Sequence, residues 1–477
     1  MSHSPRLALL DPDGIESIHQ AVLYILSRLG MQVLNEEALA LLHRSGCPMG
    51  AEQQVTIPEE LVDKAIQGAP RSVLIYSREG ILAMDLGGYR SYFGTGSDLL
   101  YTLDRDGRSR HRSTLEDVRC AALVGDALPN MDFIMSSAHP SDVPGDQAYL
   151  MSFVAMVEAS TKPVVCTAKD RSDLERIWEV AATLRGGEEE LRVKPCVLHY
   201  AEPTSPLKHS RESLDKLLFC ADRRIPVIYS PAPMAGATAP ITIAGHVAQG
   251  IAECFCGLVI HQLRSPGAPF VMGMGPAVLD MVTAQSSYNA PEYYLAYIAY
   301  VEMAHYYGLP CWGYAGVSDA QIPDGQATLE AGLCTFLSAM TGANLNHDVG
   351  YLDFGRAGSL EMMVISNEII GQMRRLRKGV PVTRETLGLD VIRTAGSARH
   401  FLSHPHTMKH VAEVQWRPSL LSRMSYDKWL QRGGTSLLDR AKETVSKILS
   451  GHRPPPIPEE KAKMIQRLVE KTKDPLG

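Results

Sequence analysis

A chain of 477 residues is long enough for one large core or about two to three ordinary domains. With 45% hydrophobic and 21% charged residues it is globular, which excludes a disordered chain. The formal net charge is −6 and no long Lys or Arg run occurs, which argues against a nucleic-acid surface, because phosphate binding needs clustered positive charge.

The N-terminus, MSHSPRLALLDPDGIESIHQ, has no basic region followed by a long apolar core, so it does not read as a secretory signal. Residues 12–45 carry apolar side chains at helical spacing through Ile15, Ile18, Val22, Leu23, Ile25 and Leu26. Residues 73–112 alternate and turn, and Asp106-Gly107 predicts a β-hairpin.

From about 130 to 350 the texture changes. Short apolar runs occur at 132–137, 163–168, 196–200, 226–230, 269–273, 310–314 and 343–349, each followed by a helical stretch. Continuous apolar runs are what parallel strands buried on both faces look like. Seven strand–helix units plus a strand at 92–95 make a (β/α)8 barrel. An open doubly wound sheet is the alternative; FGTGSD (93–98) and MGMGP (272–276) do not match the dinucleotide fingerprint, which weakens it. The apolar segment 241–263 is interrupted by His246, Gln249 and Glu253 and reads as a buried helix and not a membrane span. Beyond 365 the chain reads as helical, with GHRPPPIPEEK (451–461) breaking its last two helices. The division expected is a helical and hairpin cap at 1–115 that supplies one barrel strand, a barrel at 116–365 and a helical extension at 366–477.

Nine dispersed cysteines without a C-x-x-C pair read as reduced core residues of a cytoplasmic protein, with no structural zinc site. No G-x-S-x-G elbow, P-loop or H-E-x-x-H is present. His404, His406 and His410 have metal-like spacing but stand alone on a helical tail, and the plainer reading is preferred. Polar and aromatic residues gather instead where strands end: Tyr92 and Asp98; His139 and Asp142; Lys169 and Asp170; His199, Tyr200 and Glu202; Tyr229; Trp312, Tyr314, Ser318 and Asp319; His347, Asp348, Tyr351 and Phe354. On a barrel these converge on the face that binds ligands, although any single Asp or Ser before a helix is as readily a cap.

The segment 312–361, with Ser318-Asp319, Asp324-Gly325-Gln326, Glu330, Gly350 and Ser359-Leu360-Glu361, resembles the trimethylamine methyltransferase family. So do YFGTGSD (92–98), AEPTSPL (201–207), MAGATAPITIAG (234–245), RSPGAPFVMG (264–273), NAPEYY (289–294) and HTMKH (406–410), in linear order over nearly the whole chain. The resemblance implies a (β/α)8 barrel with no metal of its own, working with a separate corrinoid protein whose cobalamin accepts the methyl group. A homo-oligomer, and no contact with membrane, are the accompanying expectations. Founding members carry pyrrolysine; this sequence has only standard residues, so the resemblance points to the pyrrolysine-free branch, which demethylates quaternary amines such as glycine betaine, proline betaine and carnitine. The expected substrate is glycine betaine, released as dimethylglycine; a non-catalytic quaternary-ammonium binding protein is the competing class. No acid–base catalyst is expected. The candidate substrate-binding residues are Tyr92, Asp98, His199, Glu202, Tyr229, Trp312, His347 and Phe354. Aromatic faces and carboxylates would hold the cation, and His199, His347 or Arg356 would donate to a betaine carboxylate.

Overall fold

The structure, a computed structural model, describes residues 5–397 and 400–471. Eight strand–helix units follow one another. The strands are β1 (Tyr92–Phe93), β2 (around Phe133 and Ile134), β3 (Val164–Cys166), β4 (Val197–Ala201), β5 (Val227–Tyr229), β6 (Phe270–Met272), β7 (Trp312–Tyr314) and β8 (Leu345–His347). The helices are α1 (Leu115–Ala127), α2 (Ala148–Ala159), α3 (Arg171–Arg185), α4 (Arg211–Arg223), α5 (Ile243–Arg264), α6 (Pro291–Tyr307), α7 (Gly325–Thr341) and α8 (Leu360–Arg377).

The strands pair in parallel around a closed ring. The ladders β3–β4, β4–β5, β5–β6, β7–β8 and β8–β1 are continuous. Single parallel bridges complete it: Gly94 with Phe133, Ile134 with Val164, and Met272 with Cys311. This is the (β/α)8 barrel expected from the apolar runs. Its interior is packed with Phe133, Met135, Val165, Leu198, Ile228, Val271, Trp312 and Leu345, so it is a core and not a pore.

An antiparallel hairpin, Val73–Tyr76 with Leu82–Leu86, adds Val73, Ile75, Met84 and Leu86 to that interior cluster. It caps the end where the strands begin. At the other end the strands lead into helices whose first turns are closed by short polar side chains: Thr114, Asp170, Ser210, Asp324 and Ser359 each accept a backbone N–H of the helix they open. Each such cap contributes about 1 kcal/mol. For Asp170, Asp324 and Ser359 the plain capping reading therefore holds.

The N-terminal segment is less regular than its periodicity suggests. A helix at Pro12–Tyr24 passes into a π-turn at Ile25–Leu29, then a short strand, Met31–Val33, then a second helix, Glu36–Arg44. The strand pairs with Gln54–Val55 and with Lys208–His209, and that tertiary pairing overrides helical propensity. These helices and Glu59–Gly68 pack on α5. Covered on most sides, α5 is apolar nearly all round, as a fully buried helix must be. The hairpin at Asp106-Gly107 forms between Tyr101–Leu103 and Arg110–Arg112, with Gly107 at φ 78°. The last helices, Leu437–Gly451 and Glu459–Lys471, are separated by the proline segment.

Candidate functional site

Strand alternation decides which side chains enter the barrel and which leave it. On β4, Leu198 and Tyr200 pack into the interior cluster, and His199 between them faces the helices. On β5, Ile228 faces in and Tyr229 faces out, its hydroxyl 2.7 Å from His209 Nδ1 and its ring against Gly257 of α5. Neither His199 nor Tyr229 reaches the mouth, which corrects the expectation for both. Burial depresses the His199 pKa well below the usual value, and its Nε2 has no partner. Tyr92 is likewise displaced: it opens β1, so it lies at the closed end, where its hydroxyl accepts the Asp85 N–H of the capping hairpin at 3.1 Å.

At the open end the strand-end side chains border a water-reached cavity. Glu202, two residues past Tyr200, is water-accessible although protein surrounds it, so it faces a cavity and not the outer surface. The Tyr200 hydroxyl donates to Glu202 Oε2 at 3.1 Å. Tyr200 stands 5.8 Å from Trp312, and Trp312 is stacked on His347 at 4.2 Å between centroids. His347 Nε2 lies 3.1 Å from Asp348 Oδ1. A continuous wall therefore runs from one carboxyl group to another: Glu202, Tyr200, Trp312, His347, Asp348. Trp312 is 1% exposed; it is the floor under His347 and Tyr200 and not itself a contact surface, which corrects its expected role.

A third carboxyl group, Asp98, is related to this wall through Tyr351. Asp98 follows β1 in the left-handed region, φ 61°. Thr167 Oγ1 and Ser136 Oγ donate to its Oδ1 at 3.3 and 3.4 Å, and its own N–H donates to Ser136 Oγ at 3.1 Å. Tyr351 lies within electrostatic reach of Asp98, Asp348 and Tyr288, and Tyr288 within reach of Glu202. Tyr351 reaches back over β1 to donate to the Ser97 carbonyl. Gly96 permits this, because a Cβ there would sit 2.2 Å from the Tyr351 ring. Phe354, φ 55°, sits on the rim hairpin, and the adjacent Gly355 abuts Tyr288.

All three carboxyl groups hold protons more tightly than usual, because burial disfavours their anions. Asp348 is pushed up to about 8. Asp98 and Glu202 are also raised by burial, offset in part by donors: Thr167 first, with His139, Ser97 and Ser136, for Asp98; Tyr200 and then Lys216 for Glu202. His347 is pushed down to about 4 by burial, against its bond to the Gly313 carbonyl. Its Nδ1 is 2.6 Å from that carbonyl oxygen, which can only accept. The proton is therefore on Nδ1, and Nε2 carries a lone pair. His347 in this form cannot donate to a substrate carboxylate through Nε2, contrary to expectation. Arg356 is not free either, since it pairs with Asp353 at 3.0 Å.

Other strand-end residues hold loops. Asp319 accepts from Ser287 Oγ and from the Tyr288 and Asn289 N–H groups, fixing the segment that carries Tyr288. Asp142 accepts the Leu115 N–H at the start of α1. His404 opens the helix Pro405–Val414, and the His406 and His410 rings lie 4.4 Å apart. Three cavity residues, Asp348, Tyr351 and Tyr288, were outside the expected substrate-binding set. Tyr200 was too, and two-residue alternation from Glu202 is the signal that finds it.

The sequence model for trimethylamine methyltransferases matches residues 1–477. The trimethylamine methyltransferase of Desulfitobacterium hafniense is 30% identical over 99% of this chain and 95% of its own length. The glycine betaine methyltransferase of the same species is 28% identical over 98% of each. Among solved structures, the monomethylamine methyltransferase of Methanosarcina barkeri superposes with a TM-score of 0.55 at 11% identity, over 98% of this chain and 88% of that one.

Proposed function

This chain belongs to the trimethylamine methyltransferase family, and we propose that it takes a methyl group from a quaternary amine, glycine betaine first among them, and passes it to the corrinoid of a separate partner protein. The observation that carries this reading is the cavity itself. Three carboxyl groups, Asp98, Glu202 and Asp348, converge on one aromatic-walled space, each with its anion disfavoured by burial. Carboxyl groups whose anions are disfavoured by burial are stabilised as anions when a permanent cation enters beside them. Aromatic faces add about 2 kcal/mol or more to a desolvated cation.

The corrinoid, as second substrate, supplies the nucleophilic cobalt. The cobalt bonds to the methyl carbon as the C–N bond breaks, the C–N electron pair stays on nitrogen, and a neutral tertiary amine leaves. No proton is needed for that departure, in keeping with a site in which His347 is neutral and hydrogen-bonded to the backbone. The residues named here hold and orient the cation and limit water around it. The sequence contains only standard residues, so no pyrrolysine is available to hold a neutral amine. Likeness to a glycine betaine methyltransferase along the full chain supports the choice of substrate.

A larger quaternary amine, such as proline betaine or carnitine, is the second reading, and of the two carnitine carries its carboxylate farther from the nitrogen. Arg110 and Arg356 share the single carboxylate of Asp353 on the rim beside Phe354, leaving one excess positive charge there for a carboxylate that extends out of the cavity. The test is a substrate panel. Protein, Co(I) corrinoid and one amine at a time are followed by the corrinoid spectrum. Fastest transfer from glycine betaine supports the first reading; fastest transfer from carnitine supports the second.

A further inference from the structure

We propose that Asp348 is the counter-ion of the bound amine: paired with His347 it holds a proton in the free protein, and that proton leaves to solvent when a permanent cation enters the cavity. The inference rests on the quaternary-amine reading and adds a specificity-determining residue to it.

The geometry requires a proton between the two side chains. His347 Nδ1 donates to the Gly313 carbonyl at 2.6 Å and burial disfavours the imidazolium, so Nε2 presents a lone pair. Asp348 Oδ1 stands 3.1 Å from that nitrogen. In the free protein an ionised carboxylate there would set two lone pairs against each other with no cation to offset them; a carboxylic acid donates to Nε2 instead, and a bound cation supplies the attraction that lets the carboxylate form. The surroundings agree. Asp348 lies within electrostatic reach of Tyr200 from β4, Tyr288 from the segment before α6, Tyr293 from α6, Cys334 from α7 and Tyr351 from the following turn. Asp98 and Glu202 lie beyond Tyr351 and Tyr288. Among the described residues no lysine or arginine stands out as acting on Asp348, and its proton is held up to about pH 8. Asp348 also adopts φ 72°, an unusual conformation for a residue with a side chain, and such conformations concentrate at ligand sites.

The pair is placed to sense the substrate. His347 is 20% exposed and Asp348 behind it 4%, so the imidazole meets the ligand and the acid answers electrostatically. An opposite charge within about 4–6 Å lowers a carboxyl pKa by roughly 1–3 units. On entry of the cation the Asp348 O–H breaks, the proton passes to bulk water, and the new carboxylate balances the ammonium charge. After methyl transfer the amine is neutral and the proton returns. A neutral isostere of the same shape displaces nothing.

Titration calorimetry tests this with tetramethylammonium and glycine betaine at pH 7.5, in phosphate and in Tris. Neither probe gives up or takes up a proton at that pH. The expected result is a buffer-dependent heat corresponding to roughly half to one proton released per cation. Affinity should rise by up to about tenfold per pH unit from pH 6 towards 8 and level off above it. Asp348→Asn should bind more weakly, with the same heat in both buffers. If that variant does not fold, the wild-type affinity profile decides. Binding with buffer-independent heat, or a wild-type affinity flat from pH 6 to 9, overturns the proposal while leaving the quaternary-amine reading intact. Release that persists in Asp348→Asn assigns the proton to Glu202 or Asp98 and equally overturns it. Failure of both cations to bind overturns the underlying reading.

Discussion

The imidazole of His347 lies over the indole of Trp312, ring centroids 4.2 Å apart and planes 30° from parallel. That stack, with the Gly313 carbonyl on Nδ1, leaves His347 one orientation, with Nε2 turned to Asp348. The acid–imidazole pair at the cavity is therefore built on a packed aromatic floor.

Removing the floor should act on stability and activity together. Trp312→Ala leaves a buried void and is expected to cost about 3–5 kcal/mol in unfolding free energy. Trp312→Phe keeps much of the volume and should fold with a smaller loss. It should still lower kcat/KM by roughly tenfold, about 1.4 kcal/mol, because His347 loses part of its stacking partner. Denaturant melts and kinetics on the same preparations check both.

Glu202→Gln removes an anion that burial disfavours. Melting temperature should hold or rise slightly, whereas affinity for tetramethylammonium should fall by about tenfold or more, as expected on losing a charged partner. An unchanged affinity would remove Glu202 from the cation site.

Asp348 makes stability depend on pH. Its folded-state pKa, about 8, lies above the ordinary carboxyl value of 3.8, so the folded protein binds the proton more tightly than the unfolded chain. The stability this contributes is fully present below about pH 4 and is lost as pH rises towards 8, with a slope of at most about 1.4 kcal/mol per unit. Unfolding free energies at pH 5, 6, 7 and 8 should show the decline in the wild type and a shallower one in Asp348→Asn.

His199 should prove dispensable for catalysis. It faces the helix layer with an unpartnered Nε2, and a buried polar atom without a partner costs about 1–3 kcal/mol. His199→Leu is expected to keep kcat/KM within about twofold and to hold or raise the melting temperature. A large kinetic loss with an intact fold would contradict the outward orientation.

Much of the barrel was legible because a parallel strand covered on both faces must be apolar throughout, and runs such as 163–168 and 226–230 have no other simple use. The same property hid the site. A run buried on both sides carries no phase, so His199 and Tyr200 looked alike although one faces helices and the other the cavity. Polarity along the strand was equally silent: Tyr92 begins β1 and lies at the closed end, whereas Asp98, six positions on, lies at the mouth. Asp348 was legible only as one strand-end residue among many, outside the substrate-binding set, and Tyr288 was not legible at all. The first depends on a left-handed backbone that no spacing announces, and the second arrives on a loop held by Asp319. The N-terminal periodicity, read as one helical segment, missed the strand that interrupts it at Met31–Val33.

The most direct measurement compares methyl transfer to Co(I) corrinoid from glycine betaine, carnitine, proline betaine and trimethylamine, each at saturating concentration with the same protein. Transfer from at least one quaternary amine and none from trimethylamine is the predicted result. Comparable rates with trimethylamine, or binding of quaternary amines with no transfer from any of them, would contradict it.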